Sequence, residues 1–366
     1  MTHSQRRADL RDRLGAAGLD AMLVTDLVNV RYLSGFSGSN AALLVFADDD
    51  ARTVLATDGR YRLQAARQAP DLTVVIERAC GRHLAGLAAA GGVGRLGFES
   101  HVVTVDGYDE LARAAGSVQL VRASGLVEGL REVKDAGEVA LLRLACEAAD
   151  AALAGLVGRG GLRAGRTERQ VSRDLESLML DHGADGISFE TIVATGANSA
   201  VPHHRPTEAM LATGDFVKID FGAVVAGYHS DMTRTFVLGR AADWQREIYE
   251  LVALAQRRGR EALTPGVACS EVDAAARKVI ADAGYGDCFT HGLGHGVGLQ
   301  IHEAPAIGAT SAGTLLAGSA VTVEPGVYLP DRGGVRIEDT LVVGGDPTRT
   351  PELLTRFPKE LAILEE

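Results

Sequence analysis

An internal repeat in the second part of the chain constrains its fold more than any other feature. Residues 162–183 (LRAGRTERQVSRDLESLMLDHG) align with residues 263–284 (LTPGVACSEVDAAARKVIADAG) at an offset of 101 positions. Each copy predicts a glycine turn, an amphipathic helix and a glycine that caps the helix end. A β-hairpin pattern follows each copy, over 215–238 and 319–343. The repeat therefore predicts an α+β domain with internal pseudo-two-fold symmetry, its sheet at the centre and its helices outside.

The first third of the chain has a different pattern. Short apolar runs alternate there with helical patterns, and the runs lie at 21–25, 42–46, 53–57, 72–76, 95–99 and 118–122. This alternation predicts a small α/β domain with a mixed or parallel sheet. A long alanine-rich helical pattern from Lys134 to about Gly158 then marks a change of character. We expect one domain over 1–128 and a second over 129–366, which agrees with a usual size of about 150 residues per domain.

Charge and composition exclude several classes of protein. The net charge of −11 argues against a nucleic-acid partner or an anionic membrane surface, since both require basic protein surfaces. No run approaches the roughly 18 apolar residues of a membrane span. The four cysteines (80, 146, 269 and 288) form no CxxC pair. We therefore expect a cytoplasmic protein in a reducing compartment.

The first hairpin carries two carboxylates, although strands seldom contain aspartate. Asp220 lies within VKIDFG, and Asp231 lies within GYHSDMTRTF. A turn centred between Val225 and Ala226 would make the two aspartates direct cross-strand partners, with Cβ atoms about 5 Å apart. Two anions at that distance destabilise a fold unless a cation lies between them.

The second hairpin repeats this pattern. Glu324, in TVEPG, follows Asp220 at an offset of 104, and Glu338, in VRIED, lies in the partner strand. Together with Asp231, they predict four carboxylates on one face of the sheet. Solvated strand charges explain a single carboxylate more readily than four in symmetric positions.

Histidines accompany the carboxylates. His291, His295 and His302 lie in THGLGHGVGLQIHE, while His203 and His204 follow SAVP. The glycines around His295 disfavour a helix and allow the backbone to approach a metal or substrate closely. Two Asp, two Glu and one His suit two divalent ions, Mn²⁺ or Co²⁺ by their oxygen-rich ligation, with Zn²⁺ as an alternative. Because no GxSxG motif is present, the pattern predicts metal-assisted hydrolysis.

These motifs, taken in order, resemble a known family. SAVPHH, IDFG…YHSDMTRTF, HGLGHGVGLQIHE, VEPGVY and VRIED are similar to the pita-bread metallopeptidases, in the proline-specific branch that contains aminopeptidase P and prolidase. NVRYLSGFSGSNAALLV and TDGRYRLQA resemble the creatinase-like N-terminal domain of that branch. The resemblance implies an α/β creatinase-like domain followed by an α+β pita-bread catalytic domain.

The resemblance also implies roles for the matching residues. Asp231 and Glu338 would bridge two metal ions, and Glu324 would also accept a proton as water attacks the scissile carbonyl. The implied metal ligands are Asp220, Asp231, His295, Glu324 and Glu338.

Further residues would contact the substrate or support the ligands. His203 and His302 would hold the substrate backbone and stabilise the tetrahedral intermediate, and His291 would shape the proline pocket. Arg336 would support the bridging glutamate and the pocket, and Thr233 would contact the metal-ligating side chains rather than the metal. His204 is as readily explained as a structural histidine.

The resemblance implies an exopeptidase that releases the N-terminal residue of a peptide with proline in second position. Several prolidases bind the proline carboxylate through an arginine shortly after the last histidine of the motif. Ala306 occupies that place here, and no basic residue lies between His302 and Gly318. We therefore favour aminopeptidase P-like activity on longer peptides. Xaa-Pro dipeptidase activity is the alternative, since another subunit or the N-terminal domain could supply the charge.

Three other functions fit the sequence less well. Methionine aminopeptidase needs no domain like residues 1–125, and creatinase works without metal. A non-catalytic peptide-binding module would be expected to have lost metal ligands.

The glycine- and serine-rich loop GFSGSN (35–40), together with the resemblance, leads us to expect a homodimer with subunit contacts through the N-terminal domain.

Overall fold

The computed structural model describes residues 1–346, 348 and 350–365. The chain divides into two compact units, residues 1–131 and 132–366, called here the first and second unit. No helix in the described ranges combines the length and the apolar character that crossing a bilayer requires.

The first unit is an α/β domain built on a mixed six-stranded sheet with the order β4-β3-β2-β1-β5-β6. Strand β2 runs antiparallel to β1 and β3, and the remaining pairs are parallel. All six predicted strands form, with the apolar runs of the four inner strands buried in the sheet and those of the two edge strands partly buried. The strands are β1 Ala21–Val24, β2 Ala41–Phe46, β3 Val54–Thr57, β4 Thr73–Ile76, β5 Arg95–Phe98 and β6 Gln119–Arg122. The helices are α1 His3–Ala16, α2 Leu27–Ser34, α3 Arg62–Gln68, α4 Cys80–Ala90, α5 Val105–Ala115 and α6 Glu128–Arg131.

Helix α2 was not expected from the sequence. Asp26 caps its first turn by accepting a hydrogen bond from the Val28 N–H at 2.8 Å, and Gly35 ends it in the left-handed region at φ 77°. Glu99, which is fully buried, accepts a hydrogen bond from the Asp26 N–H at 2.7 Å. The long-range contact from Glu99 fixes the start of a helix that is too short for its periodicity to reveal.

The second unit contains four long helices and several sheets. The helices are α7 Ala136–Gly158, α8 Glu168–Asp181, α9 Asp243–Glu261 and α10 Cys269–Asp282. The strands up to the middle of the unit are β7 Gly186–Ile187, β8 Ile192–Thr195, β9 Phe216–Phe221, β10 Ala223–Val225, β11 Tyr228–His229 and β12 Met232–Leu238. The later strands are β13 Gly294–Gly296, β14 Glu303–Ile307, β15 Ala320–Val323, β16 Gly326–Leu329, β17 Gly333–Arg336, β18 Asp339–Val342, β19 Glu352–Leu353 and β20 Ile363–Leu364. The strand orders are β20-β12-β9-β8, β14-β13-β15-β18-β19, β11-β10-β7 and β16-β17.

The predicted pseudo-two-fold repeat is present in the second unit. We call residues 136–238 its first half and residues 243–343 its second half. Helices α8 and α10 occupy equivalent places, and the turn before each is held in the same way. The Gly165 N–H donates to the Leu211 carbonyl at 2.9 Å, and the Gly266 N–H donates to the Leu315 carbonyl at 2.8 Å. Both glycines adopt positive φ, 82° and 86°, which a side chain would disfavour.

Each half has its own apolar core. Helices α7 and α8 pack on β8, β9 and β12 through residues such as Leu175 and Ile219. Helices α9 and α10 pack on β15 and β18 through residues such as Val272 and Val321. The helices therefore cover one face of the sheets and leave the other face for polar groups.

Alternation along β9 decides which side chains reach that other face. Val217, Ile219 and Phe221 belong to the core under α7 and α8. Because successive side chains of a strand point to opposite faces, Lys218 and Asp220 face away from these helices.

The turn of the first hairpin lies one residue beyond the predicted position. Val225 pairs with Tyr228 across a two-residue loop of Ala226 and Gly227. Both loop residues have positive φ, 47° and 79°, as a type I′ turn requires. This turn type suits the right-handed twist of the strands, and its preference for glycine at the second loop position fixes the register.

The predicted pairing of Asp220 with Asp231 is therefore wrong. Asp220 lies opposite Thr233 instead. A shift of the partner by two residues preserves the face of the sheet, whereas a shift by one would reverse it. Asp231 consequently still shares a face with Asp220, as a diagonal neighbour.

Candidate metal centre

The structure brings the five predicted ligands to one cavity of about 270 Å³ in the second unit. Asp220 lies on β9, Asp231 directly precedes β12, His295 lies in β13, and Glu324 and Glu338 follow β15 and β17. The two halves of the second unit thus both contribute to the cavity wall.

The spacing of these groups suits a metal ion. Ligand atoms of Asp231, His295 and Glu338 all lie within 4.8 Å of one another. His295 Nε2 is 3.5 Å from Asp231 Oδ2 and 3.3 Å from Glu324 Oε1. Carboxylate and imidazole ligands at such separations can converge on one divalent cation, and further carboxylates beside them provide for a second.

The buried carboxylates carry more negative charge than the protein neutralises. Asp231 and Glu338 are 5% and 1% exposed. Burial and the neighbouring carboxylates raise the pKa of both groups well above the usual values. Asp220 Oδ1 and Glu338 Oε1 are buried and have no hydrogen-bond partner among the described residues. A divalent cation would satisfy both oxygens, so the donor set fits a metal centre.

Glu324 and His295 stabilise each other in their charged forms. Burial raises the pKa of Glu324, but the hydrogen bond and the charge of His295 outweigh it, and the net pKa is lowered. Burial likewise lowers the pKa of His295, while Glu324 raises it to a net upward shift. Glu324 therefore stays ionised in this buried position.

Arg336 connects carboxylates of the two halves through hydrogen bonds. Its guanidinium is buried and donates from Nη2 to Asp220 Oδ2. Its Nε donates to Thr233 Oγ1 at 3.0 Å, and Thr233 Oγ1 donates to Glu338 Oε2 at 2.7 Å. Its Nη1 donates to the Tyr328 hydroxyl at 2.7 Å. One cation thus orients a carboxylate from each half.

Two of the predicted substrate-binding histidines line the same cavity. The His302 ring packs edge-on against His295, with ring centroids 4.4 Å apart. His203 lies on the opposite segment of the lining. Within the described ranges of the chain, neither imidazole makes a hydrogen bond, so both can bind a substrate without losing a protein contact.

The other two histidines have protein partners. His204 Nε2 lies 2.8 Å from Oε2 of Glu168, which is fully buried at the start of α8. His291 Nε2 lies 2.8 Å from the Tyr328 hydroxyl. His291 and Arg336 are absent from the described lining of the cavity. Arg336 contacts the lining through Asp220, and His291 contacts the Tyr328 hydroxyl that Arg336 also binds.

The glycines beside His295 are required by close backbone approaches. A Cβ atom on Gly294 would lie 2.1 Å from the Thr322 carbonyl oxygen, and one on Gly296 would lie 2.1 Å from that of Ala304. The short strand β13 therefore packs closely between β14 and β15. This packing presents the imidazole of His295 to the carboxylates.

Sequence reasoning overlooked two residues that organise the site. Lys218 is a fully buried lysine within the apolar strand FVKIDF, and Tyr328 connects His291 with Arg336. The lysine was detectable, because a cation between apolar residues of a central strand requires a buried partner. The contacts of Tyr328 depend on three distant segments and left no signal in the sequence.

A second group of possible ligands lies in the first unit. Asp26, His101 and Glu128 offer atoms within 4.8 Å of one another. Asp26 already caps α2, and Glu128 accepts a hydrogen bond from Asn29 at 2.6 Å. These partners account for the cluster as a structural feature.

Comparison with known families agrees with this geometry. Residues 140–344 match the family model described as metallopeptidase family M24. The chain belongs to this family. Residues 6–133 match the creatinase/prolidase N-terminal domain. The predicted creatinase-like domain and pita-bread metallopeptidase domain are thereby confirmed, and the protein is a metallopeptidase.

Similar proteins cover nearly the whole chain. The Xaa-Pro dipeptidase of Pyrococcus furiosus is 36% identical over 343 residues, which are 94% of this chain and 95% of that protein. The solved structure of an Xaa-Pro dipeptidase from Bacillus anthracis is 39% identical, with a TM-score of 0.93 over 99% of this chain and 100% of the other. An X-Pro aminopeptidase structure from Thermotoga maritima is 32% identical, with a TM-score of 0.88 over 98% of each chain. Dipeptidases and an aminopeptidase are thus both among the similar proteins.

The excess of buried negative charge predicts opposite effects of Glu338→Gln with and without metal. A raised pKa means that ionised Glu338 destabilises the metal-free fold increasingly as the pH rises above about 4.3. At pH 8, we expect the variant to melt about 2 °C or more above the metal-free wild type. It should also bind fewer Mn²⁺ ions and lose the rise in melting temperature that bound metal gives.

Calorimetry and metal analysis measure both effects. Glu208→Gln, at a surface carboxylate 69% exposed, is the matched control and should change neither. A metal-free Glu338→Gln protein that melts below wild type would show that the protein alone stabilises this carboxylate.

Proposed function

We propose that the chain is a dinuclear metal-dependent exopeptidase that hydrolyses the bond between an N-terminal residue and a following proline, with aminopeptidase P-like preference for longer peptides. The observation that carries the proposal is the cavity itself. Four carboxylates and His295 surround a space in which two buried carboxylate oxygens, Asp220 Oδ1 and Glu338 Oε1, have no hydrogen-bond partner among the described residues. Two imidazoles that make no hydrogen bond within the described part of the chain line the same space. The Xaa-Pro specificity named for several similar proteins supports the substrate class.

Two divalent ions would be held by the five-residue cluster. The oxygen-rich donor set favours Mn²⁺, with Co²⁺ or Zn²⁺ as alternatives. When bound, such ions polarise a carbonyl and lower the pKa of an attacking water. The proposed ligands are Asp220, Asp231, His295, Glu324 and Glu338.

Glu324 is the proposed proton carrier. Its pKa is lowered through His295, so it is ionised and can accept the proton of the attacking water. Cleavage releases proline as a secondary amine, whose nitrogen must gain a proton. Glu324 can return the proton to that nitrogen without any other acid.

His203 and His302 would donate hydrogen bonds to substrate oxygens. Burial lowers the pKa of His302, so its imidazole is neutral near pH 7 and donates one N–H. A donor aimed at an oxygen that gains charge stabilises the transition state more than the substrate. His291 and Arg336 would shape the pocket from behind, the former through Tyr328.

The proposed aminopeptidase preference rests on the lack of a basic residue in the segment from His302 to Gly318. Ala306 pairs with His295 between β14 and β13, where it offers no charge to a substrate carboxylate. One observation favours the alternative, an Xaa-Pro dipeptidase. Arg205 lies at the rim of the cavity, with Nε 2.9 Å from Glu190 Oε2, and is 83% exposed. A dipeptide carboxylate could replace Glu190 there.

Peptide length distinguishes the two activities. With Mn²⁺-loaded protein, we expect kcat/KM for Xaa-Pro-Xaa to exceed that for Xaa-Pro by about tenfold or more, because a dipeptide places an unpaired carboxylate near acidic groups. Release of the first residue is measured by chromatography, with Xaa-Ala-Xaa as the control that should not be cleaved. Equal or faster dipeptide cleavage, abolished by Arg205→Gln, would establish the dipeptidase instead.

The two neighbouring histidines provide a matched pair of variants. His203→Ala, like His302→Ala, should lower kcat by about 10²–10³-fold while metal content stays at the wild-type value. His204→Ala should leave kcat within about twofold, yet lower the free energy of unfolding by about 1–3 kcal/mol, because buried Glu168 loses a partner. Urea unfolding followed through Trp244, the single tryptophan, measures the latter. Metal loss from the His203 or His302 variant would identify that residue as a ligand.

We also propose a cytoplasmic homodimer with subunit contacts through the first unit. Its GFSGSN loop is held by several side-chain contacts, among them Ser39 to the Tyr61 hydroxyl at 2.6 Å and Asn40 to Asp58 at 2.8 Å. A loop held in this way can offer a defined surface to a second copy. Sedimentation at micromolar concentration should give the dimer mass, and a fully active monomer would contradict the proposal.

A further inference from the structure

Lys218 is a lysine buried inside the second unit with an unusual set of partners. It lies on β9 two residues before Asp220 and is fully buried. Its Nζ donates to the carbonyl oxygens of Val201 at 2.6 Å and Pro202 at 3.3 Å, and it lies 5.0 Å from the centre of the Tyr328 ring. In the part of the chain that the structure describes, no carboxylate comes within 4.0 Å of this nitrogen. A buried amine is costly unless it makes such contacts, so the groups that it contacts indicate its role.

The target is the segment that leads into His203. The Pro202 carbonyl also accepts a hydrogen bond from Arg336 Nη1 at 3.2 Å. Two buried side chains, Lys218 and Arg336, therefore hold the two consecutive carbonyls that directly precede the histidine.

The His203 side chain has no other means of being placed. It is exposed, and its imidazole makes no hydrogen bond with any described residue. Its position in the cavity therefore depends on the backbone that carries it. We propose that Lys218 is a positioning residue that sets His203 for the substrate by holding the carbonyls of Val201 and Pro202; this inference rests on the proposed function.

The second half of the unit uses the equivalent position in a similar way. Thr322 on β15 follows Lys218 at the same offset of 104 that separates Glu324 from Asp220. Its Oγ1 accepts a hydrogen bond from the His295 N–H at 3.1 Å. In both halves, the side chain two residues before the carboxylate holds main-chain atoms of a histidine-bearing segment. This independent contact supports a positioning role rather than a chance burial.

A double-mutant cycle tests the proposal in the metal-loaded full-length chain. Lys218→Met, which keeps the length and removes the donors, should lower kcat by about tenfold or more with metal content unchanged. Lys218→Gln can still donate to a carbonyl and should recover part of the loss. In a His203→Ala background, Lys218→Met should change kcat by less than about twofold. The same loss of kcat in both backgrounds would overturn the proposal, as would a loss explained by missing metal.

Hydrogen exchange gives a measurement that does not require activity. The Val201 N–H donates to the Asn198 carbonyl at 2.9 Å. In metal-free Lys218→Met, we expect this amide to exchange about tenfold faster or more, because its carbonyl is released. Tyr249→Phe removes a buried hydrogen bond to the Lys359 carbonyl elsewhere in the unit and should leave the Val201 amide unchanged. Unchanged exchange in Lys218→Met would refute the positioning role.

These measurements separate the inference from the proposed function. A wild-type protein that cleaves no Xaa-Pro peptide would contradict the proposed function, while the exchange experiment would still test whether Lys218 holds the segment. Should Lys218→Met not fold, Pro202→Gly loosens the same segment with the lysine intact. It should lower kcat without loss of metal, and wild-type kcat in that variant would overturn the proposal.

Discussion

The burial of four carboxylates around one cavity is the constraint on which the rest of the second unit depends. Ionised groups withdrawn from water repel one another, and the pKa shifts of Asp231 and Glu338 show this cost. The protein compensates only part of it, through Arg336 and a small number of hydroxyl donors. A divalent cation completes the compensation. The close packing that the β13 glycines allow and the contacts of buried Arg336 both serve to assemble this centre.

Most helices and strands could be predicted from the sequence, because the spacing of their apolar residues indicates which face is buried. All six strands of the first unit and the helices α8 and α10 coincide with their apolar patterns. Helix α2 was not predicted, because its start depends on a contact with Glu99, about seventy residues away in the sequence. No local pattern contains this contact. The predicted hairpin register was wrong by two residues, because the turn was centred on Val225 and Ala226 although the glycine preference of a type I′ turn favours Ala226 and Gly227 as the loop pair.

The residues of the candidate site also divide into those that the local sequence predicts and those that depend on distant contacts. Aspartate in an apolar strand and histidine between glycines are chemically conspicuous, so the residues alone singled out four carboxylates and a histidine cluster, and the family resemblance implied His295 as the fifth ligand. The resemblance likewise implied His203 rather than His204 for substrate binding, and the contact of His204 with buried Glu168 agrees with a structural role for His204. Lys218 and Tyr328 act through main-chain carbonyls and hydroxyl contacts between distant segments. Such contacts exist only after the chain has folded.

The division of the proposed ligands between the two halves has a mechanical consequence. The first half contributes both aspartates, and the second contributes His295 and both glutamates. An ion held by Asp231 and Glu338 together would act as a removable cross-link along the seam between two separately cored halves. Part of its binding free energy would then resist their separation. Removing the ion with a chelator would break this cross-link, so the rigidity of the second unit would depend on whether metal is bound.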